Sequence, residues 1–205
     1  MNDDLDPERY FEAVVIGASA GGLHAIIQLL EDLPEDYPLP FVIVQHRGKD
    51  NGELLEELLQ NKCLLKVKQA DEKESILPGH VYIAPPDYHL LIENDKTLSL
   101  TTDIHVNYSR PSIDLLLESA AEAYHKNLIG IILTGSSSDG SQGLLRIKKS
   151  GGLTIAQKPS TAEYFFMPES AVRIGAATHV LTLEEIKLYL QSIYERRQHN
   201  HSDRR

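Results

Sequence analysis

Val14-Val15-Ile16-Gly17-Ala18-Ser19-Ala20-Gly21-Gly22 is an apolar run that breaks into small residues just before a helical pattern at Leu23, Ile26, Ile27, Leu29 and Leu30. Such a turn lifts one side chain, Ser19, to the carboxyl edge of a parallel sheet, where α/β folds place their chemistry. The same design recurs at Leu133-Thr134-Gly135-Ser136-Ser137-Ser138-Asp139-Gly140, which offers an aspartate. Between them, Phe41-Val42-Ile43-Val44-Gln45-His46 ends a strand in a histidine. Serine, histidine and aspartate, each at a strand end, are the parts of a hydrolase triad.

Outward from these segments the chain alternates. Strands over 12–16, 41–45 and 64–68 are separated by helical patterns, the second carrying Leu54, Leu55, Leu58 and Leu59. This βαβαβ order signals a parallel sheet covered by helices on both faces. Short strands over 81–84, 88–92 and 97–100, broken by Pro85-Pro86 and Glu93-Asn94-Asp95, read as an antiparallel excursion. Pro111 suits the first position of a helix reaching about Lys126. Strands over 128–133, 153–156 and 178–181 and helices over 140–149 and 168–174 then resume the alternation, and Thr182-Leu183-Glu184-Glu185 is a capping box for a last helix. The expectation is an α/β domain over 11–194. It is three-layered and doubly wound, with a mainly parallel sheet and a small antiparallel insertion near 78–101. Loose tails are expected at 1–10 and 195–205.

The 205 residues suit one domain. A single cysteine, Cys63, excludes an internal disulfide and a multi-cysteine zinc site, and fits a reducing, cytoplasmic compartment. The acidic N-terminus has no apolar signal region, and no apolar run approaches the ~20 residues of a membrane span. The net charge of −10 argues against a broad nucleic-acid footprint.

Gly17-Ala18-Ser19-Ala20-Gly21 matches G-x-S-x-G, in which small neighbours allow a sharp strand-to-helix turn around an exposed serine. Read alone, the segment leaves three alternatives open: a nucleophile elbow, a dinucleotide loop, or a glycine-rich helix start without chemistry. The dinucleotide reading fits poorly. Serine holds position 19, and Gln45-His46 stand where a ribose-binding acid belongs. His46 alone reads as a strand-end histidine, and Asp139 alone can cap the helix at Gly140, with Gln142 completing a box. What joins the three is their common sheet edge, since triads are defined by geometry and not by chain order.

Over about residues 11–190 the chain resembles the catalytic domain of the CheB-type protein-glutamate methylesterases. The matching pieces are Gly17-Ala18-Ser19-Ala20-Gly21-Gly22, Gln45-His46, Gly79-His80-Val81-Tyr82-Ile83-Ala84-Pro85 with His89-Leu90, Arg110-Pro111-Ser112-Ile113-Asp114, Leu133-Thr134-Gly135 with Asp139-Gly140, Gly151-Gly152 with Ala156-Gln157, and Met167-Pro168. The resemblance implies a serine hydrolase that demethylates glutamyl methyl esters, and in some members deamidates glutamines, on methylated chemoreceptor helices. It implies Ser19 as nucleophile, His46 as base and Asp139 as orienting partner, with no metal or organic cofactor. Backbone N–H groups of Ala20 and Ser136 are the expected oxyanion donors. The chain departs from the family pattern at Ala20, at Arg47-Gly48, at Ser136-Ser137 and at Lys158. Only about ten residues precede the first strand, so a stand-alone catalytic domain without a receiver domain is expected.

Arg47, Arg110 and Lys158 fall where loops should rim the active edge, and are expected to form a basic collar for a glutamate-rich substrate. Three alternatives stand beside this reading: a methylesterase or deamidase acting on a non-chemotactic signalling protein, a catalytically inactive interaction domain, and a nucleotide-binding domain.

Overall fold

The computed structural model describes residues 9–46 and 54–202. Strand β1 (Ala13–Ala18) leads into helix α1 (Gly22–Leu30), β2 (Phe41–Gln45) into α2 (Leu54–Gln60), and β3 (Lys66–Gln69) and β4 (His80–Ile83) follow. A hairpin of β5 (His89–Ile92) and β6 (Leu98–Thr101) precedes α3 (Ile113–Tyr124). Then come β7 (Leu128–Ile132), α4 (Ser141–Lys149), β8 (Leu153–Gln157), α5 (Phe166–Arg173), β9 (His179–Leu181) and α6 (Leu183–Ser202). Seven strands form one sheet in the order β3-β4-β2-β1-β7-β8-β9, with every neighbouring pair parallel. The β5–β6 pair is antiparallel and lies outside it.

Strand alternation builds the layers. In β1, Val14 and Ile16 join one core with Ile26 and Leu29 of α1, Leu59 of α2, and Ile186 and Leu190 of α6. Ala13 and Val15 face the other core, with Leu116 and Leu117 of α3, Leu144 and Ile147 of α4, Ala171 of α5, and Leu90 and Ile92 of the hairpin. The sheet is therefore buried on both faces, as an all-parallel sheet requires.

Three expectations need correction. The antiparallel excursion shrinks to β5–β6, because β4 pairs parallel with both β2 and β3. Its Val81, Tyr82 and Ile83 are all buried, which suits a strand covered on both faces. Helix α3 starts at Ile113 behind an extended Ser112, not at Pro111, which follows a cis peptide bond. Its first N–H groups are taken by a carboxylate from elsewhere in the chain, described below. Residues 195–202 continue α6 and are not a loose tail. Arg197 donates to the Phe11 carbonyl (2.6 Å) and Tyr194 to Asp36 (2.9 Å), which ties this end to the sheet's amino edge. The capping box at Thr182 is present: the Glu185 N–H donates to Thr182 Oγ1, and Glu185 accepts the Thr182 N–H.

The strand order reverses between β1 and β7, with α1 on one face and α4 on the other. This switch point opens a crevice at the carboxyl ends of the strands. Helix α3 aims its N-terminus into that crevice because two glycines let it come close. A Cβ added at Gly17 would stand 2.2 Å from Ile113 Cγ2, and one at Gly140 would stand 2.5 Å from it. Gly17→Ala should therefore cost roughly 1–3 kcal/mol of stability, the usual penalty of overpacking, measured as a lowered urea midpoint. An unchanged midpoint would mean that the start of α3 can retreat freely.

Candidate active site

Ser19 stands on the turn between β1 and α1. Its N–H donates to the Thr134 carbonyl (3.0 Å), and its carbonyl accepts the Gly22 N–H (2.8 Å). Gly21 takes the left-handed conformation (φ 75°) that this tight entry into α1 requires. The Gln45 amide donates to the carbonyls of both Ser19 (2.8 Å) and His46 (2.9 Å). One side chain thereby clamps the turn after β1 to the end of β2. Ser19 and His46 line the same open cleft, with Ala20, Gly21 and Gln45. Among the described residues no hydrogen bond joins Ser19 Oγ to His46.

His46 Nε2 lies 2.9 Å from Asp139 Oδ2. The ring keeps a little exposure, whereas the aspartate is fully buried. Asp139 does not cap α4, whose N-cap is Gly140 without any side-chain cap. It reaches instead to the start of α3, where Oδ2 accepts the Ile113 N–H (2.7 Å) and Oδ1 accepts the Asp114 N–H (3.1 Å). Ser112 Oγ, the Asn107 amide and the Gly140 N–H also donate to Oδ1, each at 3.1 Å. Burial on its own pushes this carboxyl up. Hydrogen bonds from His46, the Ile113 N–H, Asn107 and the Asp114 N–H outweigh it and hold the group below the usual carboxylate range. A helix N-terminus is a natural seat for that anion.

Among the described residues, the two backbone groups expected as oxyanion donors are uncommitted. Neither the Ala20 nor the Ser136 N–H makes a hydrogen bond among the described residues. Gly135 brings the two loops together: a Cβ there would lie 2.9 Å from Ser19 Cβ. The Gly135 N–H is itself committed to the Tyr164 carbonyl (2.9 Å), so Ser136 is the next donor along that loop.

The basic collar needs correction at Arg110. Its side chain makes four hydrogen bonds: two to Asp87 (3.0 and 2.7 Å) and two to the carbonyls of Thr102 and Asp103 (2.7 and 3.0 Å). Its charge is spent on folding the loop that precedes α3. Arg47 lies outside the described residues. Lys158 is exposed just beyond β8. What sequence reasoning missed is the strap 163–167. It is tied to the elbow loop through Tyr164 N–H to Thr134 Oγ1 (2.9 Å) and Met167 N–H to the Gly135 carbonyl (3.0 Å). It carries three exposed aromatics, Tyr164, Phe165 and Phe166. It also sets the Glu163 carboxylate against Gly21, a negative charge that disfavours phosphate at this turn. The clamping role of Gln45 was missed as well, although Gln45-His46 is one of the pieces that carry the resemblance. Among the described residues no cluster of three or more His, Cys, Asp or Glu side chains could hold a metal ion. No helix is long and apolar enough to cross a membrane there either.

A family model described as CheB methylesterase matches residues 14–190. The chain belongs to the CheB methylesterase family. A "Putative protein-glutamate methylesterase/protein-glutamine glutaminase" of Leptospira interrogans is 52% identical over 177 residues, covering 86% of this chain and 91% of that protein. A protein-glutamate methylesterase/protein-glutamine glutaminase of Paraburkholderia xenovorans is 40% identical over 176 residues, covering 84% of this chain but 48% of that longer protein. The crystal structure of the Thermotoga maritima CheB methylesterase catalytic domain superposes with a TM-score of 0.84 at 37% identity, covering 89% of this chain and 98% of the other.

The site also holds a second buried carboxylate, Asp114. Burial pushes its carboxyl up, to about 6; the Gly143 N–H and Asn107 lower it, and the charges of Asp139 and Glu118 raise it. Unfolded, an aspartate loses its proton near ~3.9. Between about pH 4 and 6 the folded state therefore holds the extra proton, and this group's contribution to stability falls as pH rises. Asp139 acts with the opposite sign, since its stabilisation is lost only as pH falls through its lowered value. Urea unfolding of wild type and Asp114→Asn across pH 4–7 should show the difference shifting in the variant's favour as pH rises. Parallel curves would mean that Asp114 ionises normally.

Proposed function

We propose that this CheB-family domain is a serine hydrolase of protein side-chain esters, with Ser19, His46 and Asp139 as its triad. The observation that carries the reading is the 2.9 Å contact of His46 with a fully buried Asp139, at a cleft that Ser19 shares. Asp139 engages Nε2, so Nδ1 is the ring nitrogen left to take the Ser19 proton. Ser19 Oγ then attacks the carbonyl carbon of a glutamyl methyl ester. The Ala20 and Ser136 N–H groups receive the oxyanion, and Asp139 stabilises the imidazolium. Collapse expels methanol, which takes the proton from His46. Water, deprotonated by His46, attacks the acyl carbon; the bond to Ser19 Oγ breaks, His46 returns the proton to that oxygen, and a glutamate is freed. Ammonia in place of methanol gives the glutaminase reaction that the relatives' names include.

The substrate proposed is a methylated chemoreceptor helix, the class implied by the family resemblance, met in the cytoplasm. The exposed aromatics at 164–166 offer a platform beside the nucleophile for the apolar face of such a helix. Arg47 and Lys158 are proposed as contacts for its glutamates.

Mass spectrometry of a methylated receptor fragment tests the chemistry. Ser19→Ala or His46→Ala should slow demethylation by roughly 10⁴–10⁶, since triad members act as a unit. Asp139→Asn should cost on the order of 10⁴. Near-normal turnover by Ser19→Ala would remove the nucleophile from this reading. For the contacts, Arg47→Glu and Lys158→Glu should raise KM for the receptor fragment, more at low salt than at high, with kcat little changed. A KM that ignores both charge and salt would return these residues to ordinary surface charges.

A further inference from the structure

Two buried carboxylates lie side by side at the start of α3, and the triad chemistry uses only one of them. Asp139 is fully buried and Asp114 is 6% exposed. One side chain joins them: Asn107 Nδ2 donates to Asp114 Oδ2 (2.8 Å) and to Asp139 Oδ1 (3.1 Å). A side-chain amide has two N–H groups, so each carboxylate receives one. The rest of Asp114 is engaged too, since its Oδ1 accepts the Gly143 N–H (2.8 Å) at the start of α4.

Asn107 is carried by a two-residue turn. Val106 and Ser109 exchange backbone hydrogen bonds (3.2 and 2.9 Å) around it. Asn107 and Tyr108 both have positive φ, 52° and 61°. Asparagine suits the first of these positions in such a turn. The turn points the two side chains in opposite senses, Tyr108 fully into solvent and the Asn107 amide onto the carboxylates. Asn107 is itself an exposed residue, so its amide closes the pair off from the outside.

We propose that Asn107 is a positioning residue of the hydrolase, whose amide bridges Asp114 and Asp139 so that the triad carboxylate stays ionised and aimed at His46. The proposal rests on the Ser19-His46-Asp139 reading. Its physical basis is like-charge repulsion. Two neighbouring buried carboxylates compete to keep a proton between them, and a proton gained by the pair weakens the charge that orients and stabilises the imidazolium. The upward shift of Asp114, caused first by burial and reinforced by Asp139, agrees with that competition. Among the described residues, the other ionisable groups around the pair are His46 at the end of β2, Glu118 further along α3, on which Arg146 of α4 acts, and His89 of β5, whose Nδ1 accepts the Ser112 N–H. Among the described residues, no cation hydrogen-bonds to Asp114, so the Asn107 amide and the Gly143 N–H are what stabilise its charge.

The alternative is that asparagine serves only the turn. Glycine separates the two, because it accepts positive φ freely and has no amide to give. The experiment is the pH profile of kcat and kcat/KM for demethylation of the receptor fragment, for wild type, Asn107→Gly, Asn107→Asp, Asn107→Gly with Asp114→Asn, and Ser19→Ala. Asn107→Gly should move the acid limb up by roughly half a pH unit and lower kcat about tenfold. Asn107→Asp, which keeps the turn but adds a third carboxylate, should move the limb further, by about one unit. Adding Asp114→Asn to the glycine variant removes the competing charge and should bring the limb back toward wild type. An Asn107→Gly profile that keeps the wild-type midpoint, whether or not kcat falls, would overturn the proposal. So would an Asn107→Asp limb at or below wild type. Ser19→Ala keeps the two readings apart: if it is inactive while the Asn107 variants keep the wild-type limb, the bridge fails and the triad stands; if it is active, the triad itself fails.

Discussion

The site depends on one buried anion. Moving the Asp139 carboxylate from water into this interior is costly unless its oxygens are met by donors. Here they are met by His46 Nε2, three backbone N–H groups, a serine hydroxyl and an amide. The two N–H groups from the start of α3 matter most for the architecture. They have no partner within the helix, so the anion and the helix end satisfy each other. The same contact fixes the direction from which the carboxylate presents itself to His46.

Close packing makes that contact possible. Ile113, the first residue of α3, fits into the space that Gly17 and Gly140 leave empty. Gly143 has the same role near the start of α4, where a Cβ would stand 2.5 Å from Leu117 Cβ and 2.9 Å from the Asp114 carbonyl. Three segments distant in sequence, β1, the start of α3 and the start of α4, are thereby held near van der Waals limits. Strain introduced at any of them passes to the others because the interior has little room to relax. The functional geometry and the stability of the α3–α4 layer are for this reason a single packing problem.

What surrounds the cleft follows a different logic from its floor. On the floor, hydrogen bonds pin the segments: the Gln45 amide to two carbonyls, the Thr134 hydroxyl to the Ala20 carbonyl (2.9 Å), and Gln157 Oε1 to the Thr134 N–H (2.9 Å). Outside it, large side chains stay exposed, with Tyr108 on the turn before α3 and Tyr164, Phe165 and Phe166 on the strap tied to Thr134 and Gly135. A hydrogen-bonded floor beside exposed aromatic side chains is an arrangement that suits the hydrolase proposed above.

Much of this was legible in the residues alone. The alternation of apolar runs with helical patterns sufficed for a doubly wound sheet, because burial on both faces leaves a continuous apolar run in each strand, while the helices that cover it keep a one-sided apolar stripe. Ser19, His46 and Asp139 could be placed at one edge of the sheet because small residues after an apolar run mark a strand end, and parallel strand ends share one edge. Less local matters were hidden. The sequence could not assign β4 to the sheet or to the hairpin, since a four-residue apolar strand pairs equally well with either. Asp139 read as a cap for its own helix, whereas the fold gives it to another helix whose first residue is 26 positions earlier. Arg110 read as a free cation until the fold put Asp87 beside it. Local propensity and periodicity are written along the chain, and they determined the elements and their order. Which donor meets which acceptor depends on distances across the chain, and only the packed tertiary structure decides those.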